Sequence, residues 1–373
     1  MPSAEGPEAS IRLRIFGGKK IMSRLFDPIT FGNITLPNRI AVSPMCQYSS
    51  EDGFANDWHL VHTGSRAAGG AGLVMLEASA VSPEGRITPG DLGIYKDEHI
   101  AFLKRITDFI SSQGSVPGIQ LAHAGRKASC AVPWEGGAQL APEQGGWQTI
   151  APSAKPFRPT DRVPVALSLA QIQEVKDNFV KAARRALEAG FKVIEVHGAH
   201  GYLLHEFYSP LSNARTDDYG GSRDNRCRLL VEVVQAVRAV LPEGFPLFVR
   251  ISSTDWVPEG WSDEDSVYLA KKLLAAKADL IDCSSGGNVQ AKIPVGPGYQ
   301  VPFAAKLRAE AGIATCAVGM ITEAKQADDI IREGKADLVM MARQMLREPY
   351  FALHAAAQLD AQVQWPQQYH LAH

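Results

Sequence analysis

A chain of 373 residues with 45% hydrophobic content can bury a large core, and its length suits either two ordinary domains or one barrel of roughly 250 residues carrying insertions. Lys and Arg number 38 against 40 Asp and Glu, a formal charge of −2, and the longest basic cluster, Gly18-Lys19-Lys20, is too short to track a phosphate backbone, which argues against nucleic acid as a partner. Five scattered cysteines (Cys46, Cys130, Cys227, Cys283, Cys316) with no Cys-x-x-Cys argue against a disulfide framework and against an iron–sulfur or zinc site, and fit a reducing, cytoplasmic setting.

Residues 1–21 mix Pro, Gly, Glu and Arg without periodicity and lack the apolar stretch and cleavage site of a secretory signal. They read as a disordered or extraneous extension, with Met22 a candidate start. No later run approaches 18 consecutive apolar residues, so no membrane association is expected. From there, short β-rich apolar runs alternate with amphipathic helical stretches. The strands are Ile40–Val42, Gly72–Leu76, Val116–Leu121, Val193–Val196, Leu247–Ile251, Leu280–Cys283, Thr315–Val318 and Leu338–Met341. Helices are expected near 57–69, 98–112, 168–189, 224–240, 263–277, 301–311, 323–333 and 344–358. Ser168 and Ser262 mark helix starts. Gly190, Gly312 and Gly334 follow periodic segments as stops, and Gly69-Gly-Ala-Gly72, which precedes a strand, reads as a stop rather than a dinucleotide fingerprint. Eight strand–helix units without a second block of composition predict a single (β/α)8 TIM barrel over 22–358, with a tail at 359–373. Two insertions break the spacing. Residues 124–167 hold too many Pro and Gly for helix, and 201–223 carry the turn Tyr219-Gly-Gly-Ser222; both are expected as loops over the C-terminal mouth.

In such a barrel the strand ends converge on one mouth, where this fold keeps its chemistry. The sequence places there Ser43, Pro44, Met45, Cys46 and Tyr48, then Glu77 and Ala78, Gln120 and His123, His197, His200 and Tyr202, Arg250, Ser284 and Ser285, Gly319 and Met320, and Ala342 with Arg343. Neutral donors and arginines without paired carboxylates suit a polar, planar anion and disfavour glycoside hydrolysis. Gly319 and Arg343, after the last two strands, suit a phosphate.

The motifs Ser43-Pro-Met-Cys-Gln-Tyr48, Gln120-Leu-Ala-His-Ala-Gly-Arg-Lys127, His197-Gly-Ala-His-Gly-Tyr-Leu203, Ser209-Pro-Leu-Ser-Asn-Ala-Arg-Thr-Asp217, Tyr219-Gly-Gly-Ser222, Asn225-Arg226 and Ala317-Val-Gly-Met320 occur in order. Together they resemble the old yellow enzyme family of flavin ene-reductases, in its bacterial xenobiotic-reductase or thermophilic-like branch, from about Leu25 onward. The resemblance implies bound FMN, with NADPH or NADH as co-substrate and small electrophilic alkenes as acceptors. Ser43, Pro44, Met45 and Cys46 would line the flavin ring, Ala78 and Gln120 its pyrimidine edge, and Arg250 its N1 and C2 carbonyl. Ala342 and Arg343 would hold the phosphate. His197 and His200 would bind the acceptor carbonyl, Tyr202 would donate a proton, and Tyr48 would touch the substrate. A homodimer or homotetramer is implied.

Two places depart from the branch. Its members often end in Tyr-x-Arg, whereas here Tyr369-His-Leu-Ala-His373 puts Leu371 in the arginine's place, so the tail is expected to cross an interface through Tyr369 alone. Ala342-Arg343 replaces the common Gly-Arg. Two other readings stay open on the residues themselves. His197 and His200 could be metal ligands of a barrel hydrolase, although neither Glu195 nor Glu206 is an obvious third ligand. Cys46 could serve a flavin-binding redox sensor. His59 and His62 repeat the His-x-x-His spacing within a helix and read as polar residues on a partly buried face.

Overall fold

The structure, a computed structural model, describes residues 23–372. The extension expected at 1–21 lies outside the described residues. A hairpin of β1 (Ile29–Phe31) and β2 (Ile34–Leu36) precedes β3 (Ile40–Val42), β4 (Leu73–Ala80) and β5 (Val116–Ala122). Two-residue strands β6 (Ile150–Ala151) and β7 (Val165–Ala166) pair inside the first insertion. They are followed by β8 (Val193–Gly198), β9 (Leu247–Ser252), β10 (Leu280–Ser284), β11 (Ala314–Ala317) and β12 (Leu338–Met341). Eight of these close a parallel barrel in the order β10-β11-β12-β3-β4-β5-β8-β9, as the alternation predicts.

Helices α1 (Asp57–Ala68), α2 (Ile100–Ser112), α3 (Leu169–Glu188), α4 (Leu203–Tyr208), α5 (Arg223–Arg238), α6 (Asp263–Ala275), α7 (Val301–Ala311), α8 (Ala324–Arg332), α9 (Arg343–Arg347) and α10 (Phe351–Gln358) fill the connections. Ser168 and Ser262 cap α3 and α6 through capping boxes, each accepting from a backbone N–H three residues on. Two differences from the sequence reading have local causes. The helix expected at 344–358 is broken into α9 and α10, because Pro349 lacks an N–H and holds Glu348 out of the helical region (φ −138°, ψ 86°). The second insertion contains α4, all six residues of which are buried, so it shows no amphipathic period to read.

The eight barrel strands are buried on both faces, so they read as predominantly apolar runs. Packing separates the faces by the two-residue repeat. Ala41, Leu73, Met75, Val193, Phe248, Leu280, Leu338 and Met340 share an inner cluster, while Ile40, Val42, Val74, Ile194, Val249, Ile281 and Val339 pack outward against the helices. The hairpin closes the lower end of the barrel: Phe31 and Leu36 join the inner cluster, and the Phe31 ring meets Phe248 edge-on at 5.1 Å. Replacing Phe31 by Ala is expected to destabilise the protein by about 3 kcal/mol, measured as a lowered urea midpoint at constant m, without changing flavin content. Among the described residues no helix is long and apolar enough to cross a membrane. After α10 the chain folds back on its own barrel, with the Tyr369 hydroxyl 3.1 Å from that of Tyr350.

Candidate active site at the C-terminal mouth

Followed upward, the inward register that begins with Ala41, Val193, Phe248 and Leu280 continues to Ser43, Glu195 and His197, Arg250, and Asp282 and Ser284. Cross-strand pairing sets His197 beside Arg250, Arg250 beside Asp282, and Gln120 beside Glu195. Ala78 joins the same level opposite Gln120, because the β4–β5 register shifts between Leu76 and Ala78.

His197, His200 and Tyr202 form one edge-to-face cluster. Ring centroids lie 5.1 Å apart for the two imidazoles, 5.2 Å for His197 and Tyr202, and 6.5 Å for His200 and Tyr202. His197 Nδ1 is buried with no partner in the protein, and His200 Nε2 lies 2.6 Å from Ser284 Oγ. Burial, reinforced by the Arg250 guanidinium, holds both imidazoles well below their usual pKa, so each is neutral and carries one N–H. Burial, then Cys46 and Tyr48, pushes Tyr202 well above the usual phenol range, so it keeps its proton.

Beneath this cluster lies a polar layer. Gln120 Nε2 donates to Glu195 Oε1 at 2.7 Å. Arg250 Nε stands 2.9 Å from Asp282 Oδ2, and its Nη1 donates to Ser43 Oγ at 3.4 Å. Burial raises both carboxyls, Glu195 to about 8 with Asp282 adding to the rise, and Arg250 opposes it for each.

The loop after β3 forms one wall of the mouth. Ser43 N–H donates to Met341 O at 2.9 Å, and Gln47 N–H donates to Glu77 Oε2 at 2.9 Å, fixing Pro44, Met45 and Cys46 between them. Burial, then Asp91 and Glu77, pushes the Cys46 thiol well up, which keeps it from being a ready thiolate. Tyr48 meets Trp134 edge-on at 5.9 Å, so the first insertion does reach over the mouth.

Beside this wall, at the ends of β9 to β12, is a cavity of about 250 Å³ lined by Arg250, Ser284, Gly319, Ala342, Arg343 and Arg347 among others, with no carboxylate in its lining. Gly319 has φ +121°, and a Cβ there would stand 3.0 Å from Gln300 Nε2 and 3.1 Å from the Tyr299 ring. A bare backbone thus keeps the cavity open. Arg343 and Arg347, with Arg250 already paired to Asp282 at the cavity's inner end, are a donor set suited to an anion such as a phosphate. Together with the orphaned His197 Nδ1, they fit a planar group carrying a phosphate tail. A larger groove of about 750 Å³ between α7 and α8, on the outer wall, contains none of these residues.

Both carboxylates weighed as a third metal ligand are engaged elsewhere. Glu195 lies in the layer below, and Glu206 Oε1 accepts from Arg126 N–H at 2.8 Å, its pKa pushed to about 8 by burial. Among the described residues no group of three His, Cys, Asp or Glu is placed to hold a metal. His59 turns inward: its ring completes the N-terminal capping box of α1 with Asn56. One residue at the mouth escaped the sequence reading. Lys127 Nζ donates to His200 O at 2.8 Å and Gly287 O at 3.0 Å, lies 5.0 Å from the centre of the Tyr202 ring, and is lowered to about 8 by burial. Its place at the end of the Gln120–Lys127 stretch was the available signal.

Comparison with known proteins identifies the family. The NADH:flavin oxidoreductase / NADH oxidase family (Oxidored_FMN) matches residues 24–362. The chain is 51% identical over 349 residues to NADPH dehydrogenase of Bacillus cytotoxicus, covering 93% of this chain and 96% of that one. It is 49% identical to NADPH dehydrogenase of Bacillus subtilis, covering 93% and 98%. Among solved structures, morphinone reductase superposes with a TM-score of 0.77 at 26% identity, covering 94% of this chain and 93% of that one. The chain therefore belongs to the NADH:flavin oxidoreductase / NADH oxidase family, and is an FMN-dependent, NAD(P)H-oxidising enzyme of the old yellow enzyme type.

Proposed function

We propose that this enzyme saturates the activated C=C bonds of enones, enals, maleimides and related acceptors, taking its reducing equivalents from NADPH or NADH in a ping-pong cycle. FMN, when bound, supplies the hydride relay between nicotinamide and alkene. Ser43, Pro44, Met45 and Cys46 would line its ring, Ala78 and Gln120 would bond its pyrimidine edge, and Arg250 would face the N1 and C2 carbonyl side. Gly319, Ala342, and Arg343 would take its phosphate.

The observation that carries the reading is the cluster of His197, His200 and Tyr202, with both imidazoles held neutral and the phenol held protonated. His197 and His200 each donate one N–H to the acceptor's carbonyl oxygen, drawing electron density from the far alkene carbon, which receives hydride. Tyr202 O–H then delivers a proton to the carbon next to the carbonyl and is recharged from solvent. One alkene, one NADPH and one proton give the saturated product and NADP⁺. Tyr48 packs on the acceptor from the opposite wall. Because the described residues form the barrel and no separate dinucleotide domain, nicotinamide and alkene take turns in the same mouth.

The experiment is a two-step anaerobic titration. NADPH is expected to bleach the flavin band at about 450 nm, and 2-cyclohexenone added afterwards to restore it with one saturated ketone formed per flavin. Bleaching by NADPH followed by no recovery with any activated alkene rules the proposal out.

A further inference from the structure

His200 and Tyr202 flank a strained piece of backbone. His200 has φ +61° and Gly201 φ +72°, two consecutive residues in the left-handed region, which costs a residue bearing a side chain roughly 1–2 kcal/mol. Space dictates the second of them. A Cβ on Gly201 would stand 2.2 Å from Gly287 O. Such a turn persists only where its surroundings over-determine it, and the hydrogen bonds that do so come from residues outside the proposed chemistry.

His200 N–H donates to Ser252 Oγ at 2.9 Å, and Ser252 Oγ passes the bond to Gly286 O at 2.8 Å. The Tyr208 hydroxyl donates to Gly198 O at 2.8 Å and accepts from Ser252 N–H at 3.0 Å. Gly201 N–H donates to His205 Nδ1 at 2.9 Å. A backbone N–H can only donate, so this bond requires a bare Nδ1 and places the His205 proton on Nε2. That nitrogen faces Asp255 Oδ1 at 3.1 Å, both side chains being wholly buried. The contact is too bent for a regular hydrogen bond, so its work is electrostatic: it selects which nitrogen carries the proton. The other oxygen of Asp255 is committed, since Oδ2 accepts from Ser209 Oγ at 2.6 Å and from Trp261 N–H at 2.9 Å. The His205 ring is further fixed by stacking on Tyr208 at 4.6 Å.

We propose that His205 and Asp255 are positioning residues: Asp255 keeps the His205 proton on Nε2, so that Nδ1 accepts from Gly201 N–H and clamps the left-handed turn from which His200 and Tyr202 are aimed into the mouth. Neither touches acceptor or flavin. The logic matches a buried carboxylate that fixes the tautomer of a hydrolase histidine, applied here to a backbone turn.

The kinetic part of the test rests on the ene-reductase reading, and the tautomer part does not. In Asp255→Asn the amide oxygen must stay with Ser209 and Trp261, so its NH₂ turns toward His205. Nε2 then has to accept, the proton moves to Nδ1, and two donors confront each other at Gly201. Nitrogen-15 NMR of the histidine-labelled holoenzyme is expected to show His205 protonated on Nε2 in the parent and on Nδ1 in Asp255→Asn. With FMN content unchanged, kcat/KM for 2-cyclohexenone is expected to fall about tenfold. Adding His205→Asn should restore most of it, because the asparagine oxygen replaces Nδ1 whatever stands at 255. Should Asp255→Asn fail to fold, His205→Asn and His205→Phe carry the same comparison: the first stays near the parent, and the second, which keeps the stacked ring without an acceptor, falls about tenfold. An Nδ1-protonated His205 in the parent, a double variant slower than Asp255→Asn, or equal losses in the two His205 variants overturns the clamp. A parent that never reduces an enone refutes the proposed function instead, and leaves the tautomer measurement to decide the clamp.

Discussion

Replacing Tyr202 with phenylalanine is expected to leave the bleaching of the flavin by NADPH at its parent rate and to slow recovery with 2-cyclohexenone by about 10²–10⁴-fold, the usual worth of a positioned general acid. The asymmetry follows from what the substitution removes. The ring and its edge contacts to His197 at 5.2 Å and His200 at 6.5 Å can stay, so the mouth keeps its shape. Only the O–H is lost, and only the second half-reaction adds a proton to carbon. Since burial lifts this phenol well above its usual pKa, it holds its proton across the working range, and the parent's second step should show no fall attributable to Tyr202 between about pH 6 and 9. Stopped-flow measurement of both half-reactions checks each point. Equal slowing of the two would show that Tyr202 shapes the pocket without acting as the acid.

How much of this was legible in the sequence depends on how local the determining interaction is. All eight barrel strands were readable because both faces are covered and apolar residues dominate them, with polar residues such as Gln120, Glu195, Arg250 and Asp282 confined to the inward positions near the mouth. Ser168, Ser262, Gly190, Gly312 and Gly334 announced helix ends because caps act within three or four residues. The hairpin at Ile29–Leu36 was not anticipated: its strands have three residues each, and only the inner cluster with Phe248 explains why Phe31 and Leu36 are apolar. Helix α4 escaped for a similar reason, being buried all round.

The site shows the same division. His197, His200 and Tyr202 follow an apolar strand directly, and a strand end points to the mouth wherever the barrel closes. Arg250 and Gln120 could be placed by the same rule. What they pair with could not, because Asp282 and Glu195 lie on other strands and are brought alongside only by the register. Glu195 had been weighed as a metal ligand. Its partner turns out to be Gln120, one level below the imidazoles. His205 and Asp255 are fifty residues apart in sequence and meet with neither exposed, so no spacing rule connects them.

The buried layer makes the second large prediction. Arg250→Ala is expected to remove most of the bound FMN and, measured on flavin-free protein so that ligand linkage is absent, to destabilise the fold by about 3–5 kcal/mol, the cost of leaving a buried charge without its partner. The stranded group is Asp282, wholly buried, whose nearest cation is Arg250 at 2.9 Å, with Glu195 close enough to raise its own pKa through it. Without Arg250 nothing opposes the effect of burial, and the Asp282 carboxyl rises further. A carboxyl whose folded pKa exceeds its unfolded value of about 3.9 subtracts stability as pH climbs from that value toward the folded one. The deficit of Arg250→Ala should therefore be small near pH 4 and larger at pH 8 than at pH 5, as read from thermal melts across the series. Asp282→Asn in the same chain removes the stranded charge, so the double variant should be more stable than Arg250→Ala alone at pH 8, with a coupling well above the ~0.5 kcal/mol expected of independent sites. A pH-independent deficit, or strict additivity of the two substitutions, would mean that Arg250 and Asp282 do not act as a pair and that the guanidinium is held at the flavin site by packing alone.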